Sequence, residues 1–158
     1  MNREQMAARC PDAEVEGAVR LEGYRLAFRG NGGGAGVATI LPEKGSHVDG
    51  VLWRISGQDE QRLDRYEGWP FLYGKEPFRV TGTNGRAVEA MAYTMNAPYK
   101  EAPGLPSPAY LVGILYGCAQ NDIATAPVME AVRRTRQEMQ EYGRERPQHK
   151  NGRGEKGR

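Results

Sequence analysis

The chain has 158 residues, 39% of them apolar and 27% charged, which fits one domain with a modest core. The formal charge of +2 is unevenly placed: residues 144–158 carry six Lys/Arg against two Glu, so the body before them is mildly acidic. No apolar run approaches the length of a membrane-spanning helix. Cys10 and Cys118 form no C-x-x-C pair, and His47 and His149 stand alone, a pattern that argues against a zinc site and fits a reducing, cytoplasmic setting.

In chain order, "MNREQMAARCPDA" predicts a short helix from about Arg3 to Arg9, stopped by Pro11. "VRLEGYRLAF", residues 19–28, reads as a strand with a kink at Gly23. Residues 30–36, "GNGGGAG", read as a flexible hairpin loop, and 37–42 as a strand. Residues 47–56 read as a further strand, whose Val, Leu, Trp and Ile predict a central position in the sheet. Ser56 is a helix N-cap with Asp59 at the capping-box position, and the helix is predicted to run to about Tyr66. "EPFRVTG" and "RAVEAMAYTM" flank Asn84-Gly85, the turn signal of a hairpin.

After Met95 four prolines within residues 96–110 exclude long regular structure. Ser107-Pro108 is an N-cap followed by proline at the first helical position, so a helix is expected to about Cys118. Pro127 opens another to about Tyr142, with Val128, Val132, Thr135, Met139 and Tyr142 along one face. From Arg144 the composition predicts a disordered basic tail, so the domain is placed at residues 1–143.

Several motifs have bland explanations. Gly30 to Ala35 fits G-x-G-x-x-A by letter, but a β-like run follows where a dinucleotide site needs a helix N-terminus, and no G-K-[ST] is present. The basic tail lacks aromatic residues for stacking on bases, so nucleic-acid binding is not expected. Cys118 sits on an apolar helix and reads as a packing residue; Cys10 has no histidine nearby in sequence to activate it.

Glu67 resists that treatment. It stands at the C-terminal end of a predicted helix, just before Gly68-Trp69-Pro70, where the helix dipole disfavours a negative charge. Tyr66 and Trp69 flank it, and aromatic rings folded over a carboxyl raise its pKa further. Both effects move a glutamate toward useful acid/base chemistry near neutral pH.

"GVLWRISGQDEQRLDRYEGWPFLY" resembles the γ-glutamylcyclotransferase family, in which a tryptophan-bearing strand and a capped helix precede L-D-x-x-E-G and a tyrosine. "QMAARCPDA", "LEGYRLAF", "GVATILP", "AYTM" and "PSPAY" follow the family's order, so the resemblance covers about residues 2–118. It implies an α+β fold, a small curled, mostly antiparallel sheet or barrel with helices outside. It implies an enzyme that releases 5-oxoproline from γ-glutamyl compounds, as in glutathione metabolism, and needs no cofactor. The family's acid/base falls on Glu67, and the tyrosines that line or support its substrate cavity fall on Tyr73, Tyr93 and Tyr110.

The expected partner is thus a small γ-glutamyl substrate, with neither nucleic acid nor membrane; a homodimer is one assembly to test. Family members begin with a strand ending in Tyr-Gly-Ser-Asn, a loop that presents backbone N–H groups to the substrate. Here the chain opens at the methionine that follows it. Either the natural chain starts further upstream, the favoured account because Glu67, Tyr73, Tyr93 and Tyr110 all remain, or the truncation is real; on both, these 158 residues are expected to be less active and less stable than a complete member. A non-catalytic binding module on the same fold is the alternative.

Overall fold

The computed structural model describes residues 2–30 and 34–145. Helix α1 (Arg3–Arg9) is capped by Asn2, whose side chain accepts from the Gln5 N–H. Strands β1 (Glu14–Gly30) and β2 (Gly36–Arg54) form a long antiparallel hairpin. Helix α2 (Gly57–Glu67) leads into a second hairpin, β3 (Tyr73–Gly82) and β4 (Ala87–Met95). A 3-10 turn (Tyr99–Glu101) precedes α3 (Pro108–Gln120) and α4 (Ala126–Glu145).

The sheet order is β2-β1-β3-β4, antiparallel throughout. The two hairpins meet only where Val19 and Arg20 pair with Gly82 and Thr81. Elsewhere the sheet curls until its outer strands approach. The Met95 N–H on β4 donates to the Thr39 hydroxyl on β2 at 3.0 Å, and the Tyr73 hydroxyl on β3 donates to the Ala38 carbonyl at 2.6 Å. This is the curled α+β architecture expected from the sequence.

Two expectations for the second strand need correction. Residues 37–42 and 47–54 belong to one strand, β2, not two, and Ile55 and Ser56 lie beyond its end. The register slips between Pro42 and His47, where residues 43–46 oppose the single Gly23, a glycine at φ +81°. A bulge carries the extra residues without breaking the ladder. Nor is this strand central: β2 lies at the sheet edge. Its Val51, Leu52 and Trp53 are partly buried on the faces of the sheet. Apolar composition reports burial of a strand's faces, and the curl buries an edge strand too.

Helices α3 and α4 pack on the end of β1, where Phe28, Cys118, Val128, Ala131 and Val132 form the buried core. The larger apolar side chains among them, Phe28, Val128 and Val132, each contribute on the order of 1.5–3 kcal/mol through burial. The predicted stripe of α4 is buried at Val128, Val132 and Thr135, while Met139 is exposed. The helix extends to Glu145, and the rest of the basic tail lies outside the described residues.

The glycines at the β1–β2 turn have a packing reason. The Gly30 N–H donates to the Ala102 carbonyl and the Gly36 N–H to the Leu105 carbonyl, both at 2.7 Å. A Cβ on Gly36 would fall 1.7 Å from the Gly104 carbonyl oxygen. The proline-rich segment thus lies directly across the hairpin end, which only glycine permits. Residues 31–33 of the expected flexible loop lie outside the described residues.

Candidate active site

Helix α2 starts at Ser56, whose hydroxyl accepts from the Asp59 N–H at 3.1 Å. Only that half of the capping box forms. The Asp59 side chain is fully buried and accepts from Arg62 Nη1 at 2.9 Å. The helix ends at Gly68, left-handed at φ +66°, whose N–H reaches back to Arg65 and Asp64. Glycine at this position turns the chain without the cost of a Cβ. Glu67 is therefore the last helical residue.

Glu67 opens onto a cleft of about 940 Å³, within the size range of ligand pockets. Its end of the cleft is lined by Arg9, Tyr66, Leu72, Tyr73 and Tyr110. Apolar lining comes from Leu26, Val37, Ile114, Cys118 and Val128, and polar lining from Glu43, His47, Asp49 and Arg134. Burial raises the Glu67 pKa, and the nearby Arg9 guanidinium offsets only part of that. The Glu67 carboxyl has no hydrogen-bond or ion-pair partner among the described residues.

The desolvating surroundings differ from those expected. Trp69 is 45% exposed and does not line the cleft; it faces Lys75, whose ammonium lies 4.8 Å from the ring centroid. Tyr66 does line the cleft, with Arg9 stacked 3.6 Å over its ring and donating to its hydroxyl at 2.6 Å. The remaining wall comes from Tyr73 on β3 and Tyr110 on α3, both distant in sequence.

Tyr73 and Tyr110 grip the backbone of the same residue. Tyr73 Oη donates to the Ala38 carbonyl at 2.6 Å, and Tyr110 Oη accepts from the Ala38 N–H at 3.0 Å. These two bonds cap the open edge of β2 at that residue. They also distinguish the phenols. Tyr73 has spent its proton on a backbone carbonyl, whereas the Tyr110 O–H has no acceptor among the described residues. Burial raises the pKa of both phenols above its ordinary value, so both stay protonated at neutral pH.

Tyr93 is placed differently. It is not among the cleft-lining residues; its hydroxyl donates to Asp64 Oδ1 at 2.6 Å. Arg9 was not singled out from sequence. The only available signal was a cation on a short helix ahead of Pro11, which says nothing about where that helix docks. Among the described residues no group of three or more His, Cys, Asp or Glu is placed to hold a metal ion. No helix among the described residues is long and apolar enough to cross a membrane.

Comparison with known proteins agrees with this architecture. Residues 1–112 match the family model for "Gamma-glutamyl cyclotransferase, AIG2-like". A human gamma-glutamylcyclotransferase is 30% identical over 128 residues, and its mouse counterpart 31%. Each alignment takes in 76% of this chain and 66% of the relative, so the chain spans just under two thirds of the length of those proteins. A solved structure of a gamma-glutamyl cyclotransferase superposes with a TM-score of 0.69 at 26% identity, covering 84% of this chain and 79% of the other. The chain therefore belongs to the AIG2-like gamma-glutamyl cyclotransferase family.

Proposed function

We propose that this protein releases 5-oxoproline from a γ-glutamyl amine or γ-glutamyl amino acid, with Glu67 as the acid/base. One observation carries the reading: Glu67 is a desolvated, unpaired carboxyl at the end of a cleft, walled by phenols. A carboxyl so placed has a pKa shifted toward the range where it both takes and returns protons at neutral pH.

The reaction needs little else from the protein. The substrate's α-nitrogen and γ-carbonyl are tethered, so ring closure is intramolecular and effective concentration comes with the substrate. The Glu67 carboxylate takes a proton from the α-ammonium, and the freed amine attacks the γ-carbonyl carbon to form the ring C–N bond. The tetrahedral oxyanion accepts a hydrogen bond from Tyr110, the phenol that retains an O–H to give. The bond to the leaving amine then breaks. Two protons pass in total from the attacking to the leaving nitrogen, carried in turn by Glu67, and the departing amine leaves as an ammonium. Arg9 supplies positive charge at this end of the cleft, suited to the substrate's α-carboxylate. Tyr73 shapes the wall, and Tyr93 acts from behind it through Asp64.

The test is 5-oxoproline release from a panel of γ-glutamyl amides and dipeptides by wild type and Glu67→Gln. Wild-type turnover of at least one substrate, lost in a folded Glu67→Gln, is the expected result. Full activity in that variant would remove Glu67 from the reaction.

A further inference from the structure

We infer that Asp64 is a positioning residue for Glu67, fastening the last turn of α2 to the β3–β4 hairpin so that the carboxyl three residues on is held at the cleft. This rests on the acid/base reading of Glu67 above.

Helix α2 needs such a fastening. Of its eleven residues only Asp59, near the N-terminus, is fully buried. No buried apolar side chain fixes the other end, where a helix would ordinarily be held by its apolar stripe. Polar contacts replace it. Lys75 Nζ on β3 lies 2.7 Å from Asp64 Oδ1 and 2.9 Å from Oδ2, and Tyr93 Oη on β4 donates to Oδ1 at 2.6 Å. The Asp64 backbone carbonyl accepts from the Trp69 N–H at 2.9 Å. One residue thus holds both neighbouring strands and the chain just past Glu67.

The downstream side is pinned as well. The Phe71 and Leu72 N–H groups both donate to the Gly68 carbonyl at 2.9 Å, and the Asn96 N–H donates to the Leu72 carbonyl at 2.9 Å. Asn96 Nδ2 donates to the carbonyls of Pro70 at 2.8 Å and Phe71 at 3.1 Å. Glu67 lies between these two anchors. The arrangement supplies a physical reason for an aspartate three residues before the glutamate in L-D-x-x-E-G: the pair shares the last turn of one helix, the first as anchor and the second as reacting group.

The test compares Asp64→Ala, Asp64→Asn and Tyr93→Phe with Glu60→Gln, which also removes a Lys75 partner but has no contact past the helix end. Asp64→Ala is expected to lower kcat about 30-fold with KM changed less than about threefold, the signature of a displaced reacting group. Asp64→Asn keeps an acceptor for Tyr93 and should recover most of that loss. The second readout is the acid limb of kcat/KM. The groups around Glu67 are Arg9 on α1, Tyr66 on α2, Tyr73 on β3, Tyr93 on β4 and Tyr110 on α3. A helix end that swings loose hydrates Glu67, so the limb moves to lower pH; a mere fall in stability leaves it unmoved. Glu60→Gln should match wild type on both readouts.

Should Asp64→Ala fail to fold, Tyr93→Phe and Asp64→Asn decide, with smaller changes of the same sign. A folded set of variants with wild-type kcat and an unshifted limb would overturn the inference. Glu67→Gln, run alongside, separates the two claims: if it stays active the acid/base reading fails, and if it is dead while the Asp64 variants are normal only the clamp fails.

Discussion

Two carboxylates on the last turn of one helix meet opposite environments. Burial works against ionisation of Asp64, but the hydrogen bonds from Lys75 and Tyr93 prevail and hold it below the ordinary carboxylate range. Burial also acts on Glu67, where no hydrogen bond opposes it and the charge of Arg9 offsets only part of it, and the group is held above that range. Desolvation alone therefore does not sort an acid/base from a structural carboxylate; the missing partner does. The same contrast extends to α4. Glu138 is also partly buried, yet Arg29 Nη1 at 2.5 Å and Arg25 Nη2 at 2.8 Å keep its carboxyl ionised.

The strongest way to break the contrast is Glu67→Gln. The expected loss in turnover is about 10³-fold, typical for removing a general acid/base. The fold should gain. A carboxyl whose folded pKa is raised is destabilising once ionised, so the variant should melt higher than wild type near neutral pH. The difference should vanish well below pH 4.5, where the wild-type carboxyl is neutral in both folded and unfolded chains. Thermal melts across pH check both statements.

The two phenols sharpen the cleft side of the contrast. Tyr110→Phe removes the available O–H and should lower kcat by about 10²-fold, as for loss of one oxyanion donor. Tyr73→Phe removes a hydroxyl committed to Ala38 and should cost about 1 kcal/mol of stability with a much smaller effect on kcat. Steady-state kinetics and denaturation of both variants measure the asymmetry; equal losses of kcat would erase it.

Glu138→Gln supplies the opposite sign. It should destabilise by about 2 kcal/mol near neutral pH, less than a fully buried pair because the side chain is 22% exposed. Its folded pKa is depressed, so the stabilisation is present above the unfolded value and lost as pH falls through the folded one. The deficit relative to wild type should therefore shrink in acid, measured by urea denaturation at several pH values.

Much of the framework was legible because local chemistry sets it. Ser56 and Ser107-Pro108 cap helices as read, Asn84-Gly85 lies in the predicted hairpin turn, and Gly68 ends α2 directly after Glu67. The position of Glu67 at a helix end was legible for the same reason. Its surroundings were not. Trp69, two residues on in sequence, faces Lys75, while Tyr73 and Tyr110 come to the site from different elements and both bind the Ala38 backbone. The edge position of β2 was hidden because a curled sheet buries the faces of edge and central strands alike. Arg9 and the Asp64 clamp depend on how α1 and α2 dock, which no periodicity within either helix encodes.

The most direct test of the central claim is the titration of Glu67 itself, followed by the side-chain carboxyl carbon resonance in protein labelled at glutamate and assigned with Glu67→Gln. A midpoint clearly above the ordinary glutamate value of 4.5 is predicted. A midpoint at or below it would mean that the carboxyl is hydrated or paired, and would contradict its role as the acid/base.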